Sequence, residues 1–286
     1  MTATLPNTSD NVLVSWAAPN VLLVTINRPH KLNAVDPATN KELDNVFTWA
    51  EQEDNVWCSI ITGAGDRAFC AGFDLVKGHE SRSQNGETDF TSEPLGINGF
   101  AGLSNRNQGR KPLIAAVNGY AVGGGSEIMT ASDIVVATEK SKFGFPEVKR
   151  GMIVAAGGLG RIVRSLPYQV ASELLLTGRL ITANEAKSYG IVNKVIPDHV
   201  NVVDAALEYA QMIVSNSPDA VMMTKKGILL ALERESLTKA HEDLMDSDEA
   251  AAWKSGKNMT IGLKAFAEKQ TPRYENPEPI VRKSKL

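Results

Sequence analysis

Cysteine is scarce: the chain has two, Cys58 and Cys70, in 286 residues. Both lie among apolar neighbours, so they read as buried thiols and no disulfide framework is expected. Histidine is also sparse. His30, His79, His199 and His241 are scattered and make no metal-ligand spacing. Charge of one sign is missing too. The net charge is -3, acids and bases are interspersed, and without a basic block no nucleic-acid partner is expected. No apolar run reaches the roughly 20 residues that cross a bilayer, so no membrane association is expected. Residues 1–10 lack the basic and apolar parts of a secretory leader. What the chain does have is 43% hydrophobic content over a length that buries a full core. That suits one large domain, or one domain with an appendage.

Residues 1–10 are polar and read as a disordered tail. Two β-rich runs, 12–16 and 21–27, flank Ala18-Pro19-Asn20 as in a hairpin. Asp36-Pro37 supplies an N-cap and a proline at the first helical position, which predicts a helix to about residue 53. Residues 59–62 read as a strand, and 68–75 return the chain towards the core. Residues 77–110 form a long polar excursion with apolar islands at Phe90, Leu95 and Phe100. Further strands are expected at 134–138 and 191–196. A helix is expected from about 165 to 177, and Thr182-Ala183-Asn184-Glu185 reads as a capping box. Such alternation predicts a layered α/β core with parallel strands over 11–198. Beyond it, helices at 203–216, 218–234, 236–254 and 257–270 make a helical lobe over 199–276. A flexible tail, 277–286, follows.

The stretch 115–147 organises the rest. An apolar run stops at Asn118-Gly119, glycines stand at 123, 124 and 125, and Ser126-Glu127 opens a helical pattern. Bare backbone at a helix start admits a close neighbour and favours negative charge. With Glu127 beside it, this pattern reads as an oxyanion site with a general base. A glycine turn packing a strand on a helix, with Glu127 solvated, fits the stretch equally well. Taken alone, the two readings stand level.

Several segments together resemble the enoyl-CoA hydratase/isomerase (crotonase) superfamily, and peroxisomal enoyl-CoA hydratases most. Residues 27–34 are similar to its first CoA-binding loop, and Phe69-Cys70-Ala71-Gly72-Phe73-Asp74-Leu75 to its first oxyanion motif. Residues 118–127 and Phe143-Gly144-Phe145-Pro146-Glu147 are similar to its second oxyanion motif and its acid/base segment. Residues 263–269 resemble its terminal helix. The resemblance implies a crotonase-type ββα spiral and a homotrimer, often paired into a hexamer. It also implies that the backbone amides of Phe73 and Gly124 bind a thioester oxygen. Glu147 would exchange the proton at Cα, and Glu127 would handle the water.

By the same resemblance the substrate is an acyl-CoA, and no further cofactor is implied. CoA would run past Arg28, Lys31, Ala34, Ala71, Gly72, Asp74, Leu75 and Gly123, with Phe266 and Lys269 contributed by a neighbouring subunit. The reaction implied is hydration of a 2-enoyl-CoA, or its reverse, in β-oxidation or a dedicated acyl-CoA route. A Δ3,Δ2-enoyl-CoA isomerase using Glu147 alone is one alternative. A non-catalytic acyl-CoA-binding member of the fold is another. Gly151-Met152-Ile153-Val154, ahead of Ala155-Ala156-Gly157-Gly158, departs from the hydratase pattern beside the acyl pocket, which, with the 77–110 excursion, puts acyl specificity in question. The final Ser284-Lys285-Leu286 is a peroxisomal address read by an import receptor, so peroxisomal localisation is expected.

Overall fold

The computed structural model describes residues 3–75, 95–106 and 109–280. Most of the 77–110 excursion and the 284–286 address therefore lie outside the described residues. β1 (Val12–Ala18) and β2 (Val21–Ile26) form the expected antiparallel hairpin. α1 (Pro37–Gln52) is capped by Asp36, whose carboxylate accepts the Thr39 amide at 2.9 Å.

From there a pattern repeats: one strand enters a first sheet, a short strand follows in a second, and helical chain closes the turn. The first such pair is β3 (Cys58–Gly63) and β4 (Ala68–Cys70). β5 (Leu113–Val117), β6 (Tyr120–Val122) and α2 (Gly124–Ala131) come next. β7 (Ile134–Thr138) and β8 (Lys142–Gly144) follow, then a 3-10 turn over Pro146–Arg150. After these stand α3 (Gly158–Ser165) and α4 (Tyr168–Thr177). β9 (Ile181–Thr182), α5 (Ala183–Ser188) and β10 (Lys194–Ile196) complete the core, with α5 opened by the expected capping box.

The first sheet runs β1-β2-β3-β5-β7-β10 and is parallel from β2 onward. The second runs β4-β6-β8-β9, with only β8–β9 antiparallel. This is the ββα spiral that the family resemblance implies. Strands β3 and β5 are buried along their whole length, because both faces of the first sheet are covered. On one face Ile61, Ala115 and Val117 join Phe69, Phe100, Ile128 and Phe143 in the main core. On the other, Ile60, Ile114 and Ala116 meet Ala205, Ala206 and Ala210 of α6 (Val202–Val214). Period-two alternation separates the two sets. The first helix past the expected boundary at 198 is thus a covering layer of the sheet itself.

α7 (Pro218–Glu233), α8 (Leu237–Met245), α9 (Asp248–Ser255) and α10 (Asn258–Glu268) follow. The single helix expected over 236–254 is two helices. Ser247 is extended at φ -72°, ψ 156°, and its side chain accepts the Ala250 amide at 3.1 Å, capping a new helix. α3 has no counterpart among the expected elements. It begins Gly-Leu-Gly, a poor helix-forming start, and its position is fixed by a tertiary contact described next.

Candidate active site

β4 and β6 lie side by side, so the chain leaving each opens at one end of the second sheet. Past β4, Gly72 turns with φ +91°, a conformation glycine alone adopts freely. A Cβ there would stand 2.9 Å from the Val122 carbonyl oxygen and 3.3 Å from the Gly124 nitrogen. The two segments therefore touch only because position 72 has no side chain. Val35 donates to the Gly72 carbonyl at 2.9 Å and accepts from the Asp74 amide at 3.0 Å. That pairing holds the loop and leaves the Phe73 N–H out of it. Gly124 is the first residue of α2, so its N–H has no acceptor within the helix. Neither amide has a protein acceptor among the described residues, and both residues line one cavity of about 850 Å³.

The glycine run serves the chain itself as much as a ligand. A Cβ on Gly124 would fall 2.6 Å from the Phe100 ring, and one on Gly125 would fall 2.0 Å from the Cys70 carbonyl oxygen. Gly123 and Gly124 still line the cavity, so bare backbone faces it there, while the space beside Gly125 is taken up by the chain itself. Gly124 and Gly125 let α2 settle onto Phe100 and β4, which aims the Gly124 amide at the cavity.

Glu127, in the first turn of α2, is buried, and its Oε1 accepts the amides of Ala156 (3.0 Å) and Gly158 (2.9 Å). The start of α3 thus clamps one carboxylate oxygen, at the end of a helix that favours negative charge. Burial nevertheless pushes the Glu127 pKa up to about 7 against those two amides, and nearby Glu147 adds to the rise. Glu147, in the 3-10 turn, has a buried Oε2 with no hydrogen-bond partner. Burial raises its pKa as well, while Arg150 pulls it down. Its Oε1 faces Gly123, where a Cβ would stand 3.2 Å away. Both carboxyl groups line the cavity that holds the two free amides. The solvated-acid reading of Glu127 fails on its burial.

With this geometry in view, comparison with known proteins is decisive. The enoyl-CoA hydratase/isomerase profile matches residues 17–277. The chain belongs to the enoyl-CoA hydratase/isomerase family. It is 39% identical over 267 residues to a mevalonyl-coenzyme A hydratase of Aspergillus fumigatus, covering 93% of this chain and 96% of that one. A carnitinyl-CoA dehydratase of Escherichia coli is 35% identical over 266 residues, covering 90% and 95%. The crystal structure of an enoyl-CoA hydratase from Bacillus anthracis superposes with a TM-score of 0.82 at 35% identity, covering 93% of this chain and 99% of that one.

Of the residues assigned by family resemblance, Ala71, Gly72, Phe73, Leu75, Gly123, Gly124, Glu127 and Glu147 meet in the cavity wall. Arg28 does not, and its expected place on the CoA path is corrected. It is buried, ion-paired with Asp36 at 3.0 Å and Asp74 at 3.3 Å, and it donates to the Ala34 carbonyl. Asp74 and Ala34 thereby become parts of the brace that carries the first oxyanion loop. Lys31 is exposed on its 3-10 turn, away from the cavity wall. Phe266 is 86% exposed on α10 and Lys269 follows at its C-cap, so Phe266 does not pack on its own lobe. Sequence reasoning missed the Ala156 and Gly158 amides. The signal available was the Gly157-Gly158 pair, a helix start able to hold a carboxylate. It also missed the polar wall of α1, where Asn40, Lys41 and Asp44 face the same cavity.

Proposed function

We propose that this chain adds water across the 2,3 double bond of a 2-enoyl-CoA, or removes it from a 3-hydroxyacyl-CoA. One observation carries the reading: two carboxyl groups of raised pKa share a cavity with two unpaired backbone amides. Family membership supports a lyase acting on a CoA thioester. The thioester oxygen accepts the Phe73 and Gly124 N–H groups, which stabilise the enolate charge that develops there by several kcal/mol. Water lies between the glutamates. As its oxygen bonds to C3, Glu127 takes one of its protons on Oε2, and Glu147 delivers a proton to C2. One proton returned from Glu127 to Glu147 closes the cycle. One carboxylate, one carboxylic acid and two amides supply every proton and charge the addition needs, with no electron transfer. The isomerase alternative would leave the clamped Glu127 without a task.

The relatives are named for mevalonyl- and carnitinyl-CoA, and the acyl group of this chain's own substrate is taken up below. Peroxisomal import and a trimeric or hexameric assembly belong to the same reading. Its test is loss of the conjugated enoyl-thioester absorbance with crotonyl-CoA. Glu127→Gln and Glu147→Gln should each lower kcat by about 10²–10⁴ with substrate binding retained. Loss in Glu147→Gln alone would favour the isomerase, and near-normal hydration by either variant would refute the paired-acid mechanism.

A further inference from the structure

The α1 wall of the cavity carries Asn40, Lys41 and Asp44, which the hydration mechanism does not use. They share a face, since Asp44 follows Lys41 by three residues and Asn40 by four. The wall is built rather than incidental. A Cβ on Gly102 would stand 2.3 Å from the Asp44 Cα, so the 95–106 segment lies directly on α1. The Asn40 Oδ1 accepts the Ala101 amide at 2.6 Å. Asp44 is held through one oxygen: Oδ1 accepts from the Arg106 Nη2 at 2.7 Å and from the Asn98 Nδ2 at 2.8 Å. Its Oδ2 has no partner among the described residues. That oxygen lies towards Gly96, whose missing Cβ would stand 3.7 Å from it, and Gly96 lines the same cavity. Lys41 is exposed and has no ion pair or hydrogen bond among the described residues.

A fixed anion with one free lone-pair face, and a cation one helical turn away, discriminate between acyl ends. A distal carboxylate could pair with Lys41 but has no proton to offer the Asp44 Oδ2, since Arg106 already engages the other oxygen. A quaternary ammonium has neither a proton for Oδ2 nor a lone pair for Lys41. A bare alkyl end would strip water from both charges and return nothing. A hydroxyl answers both, because its O–H donates to the Asp44 Oδ2 while its oxygen accepts from the Lys41 Nζ. We propose that Asp44 and Lys41 read a hydroxyl group on the acyl chain beyond C3, so that the preferred substrate is a hydroxylated 2-enoyl-CoA. This inference rests on the hydratase reading and deepens it.

The experiment compares kcat/KM for hydration of 5-hydroxy-3-methylpent-2-enoyl-CoA, its 5-deoxy counterpart, and an analogue with trimethylammonium in place of the hydroxyl. Crotonyl-CoA serves as the reference. The wild-type protein should favour the hydroxylated substrate over the deoxy one by about 10- to 100-fold, the scale of one hydrogen bond to a charged group. Asp44→Ala should bring that ratio to about one. Because Asp44 also anchors Arg106, Lys41→Met is the second variant: exposed and unpaired, it should lower the ratio several-fold without lowering the melting temperature. Equal kcat/KM for the hydroxylated and deoxy substrates in the wild type would overturn the proposal. So would preference for the ammonium analogue, or a ratio that survives both substitutions. Failure to hydrate any of the four would instead overturn the hydratase reading itself, so the two failures are distinguishable.

Discussion

Glu127→Gln should stabilise the protein, and only above a definite pH. In the unfolded chain the Glu127 carboxyl titrates near its ordinary 4.5, whereas in the fold burial moves it to about 7. Below pH 4.5 both states are protonated and the group is neutral towards stability. Between 4.5 and 7 the unfolded chain ionises while the folded one does not, so stability falls as pH rises. Above 7 the buried carboxylate ionises as well, and the cost levels off. Two and a half pKa units correspond to about 3.4 kcal/mol. Glutamine is never charged, and its single carbonyl oxygen still accepts the Ala156 and Gly158 amides, so the clamp survives. A chain of this length unfolds with an entropy of about 0.6 kcal/mol/K, so the variant should melt about 6 °C above the parent at pH 8. Near pH 4.5 the two should melt together. Thermal unfolding of both proteins at pH 4.5, 6 and 8 measures this directly. A difference that does not change with pH, or a less stable variant at pH 8, would refute the buried-acid account. The same ionisation should appear in catalysis as a fall in kcat/KM when pH drops through about 7.

Four further perturbations have definite expected outcomes. Gly124→Ala should lower kcat by about 10²–10³, since a Cβ only 2.6 Å from the Phe100 ring must displace the amide that follows β6. Phe73→Ala should keep most of its activity because only the amide at 73 is used, and melting curves separate either effect from unfolding. Arg28→Met should destabilise by about 3–5 kcal/mol in urea titration, by removing the buried guanidinium that bridges Asp36 and Asp74; a change confined to KM for CoA substrates would restore Arg28 to the CoA path. Removing Ser284-Lys285-Leu286 should leave purified activity intact and make a fluorescent fusion cytosolic, and persistent peroxisomal puncta would count against the address.

What the sequence made legible was local. The Asp36 cap and the Thr182–Glu185 capping box bond within a few residues of themselves, and the strands carry their apolar runs in consecutive residues, so these patterns survive in one dimension. Glu127, Glu147 and the glycines at 72, 123 and 124 were legible through motif resemblance, and the cavity brings them together. Tertiary pairings were not legible. Arg28 reads as a surface cation until Asp74, 46 residues away, is folded against it. Ser247 breaks a helical pattern that hydrophobic spacing alone would continue, because its side chain prefers the backbone amide of Ala250. α3 starts on glycines that propensity disfavours, and what offsets this is the Glu127 carboxylate bonded to its first amides.

That last contact explains why a segment departing from the family's pattern still serves its chemistry. The Ala156 amide holds Glu127, and the Ala156 carbonyl accepts from the hydroxyl of Ser104, which is fully buried. The same Ser104 oxygen accepts the Phe100 amide at 2.7 Å, and the Phe100 ring is the surface against which Gly124 rests. A continuous path of contacts therefore runs from the Glu127 carboxylate to Gly124, passing through one serine. Side chains lining 151–157 can change to fit different acyl groups, because the clamp on Glu127 uses only backbone N–H groups. The backbone itself cannot shift without moving both halves of the site, since Gly157 packs with no room for a side chain, 2.3 Å from the Ser104 carbonyl to where its Cβ would be. Acyl specificity and catalytic geometry thus occupy the same loop but are written in different atoms.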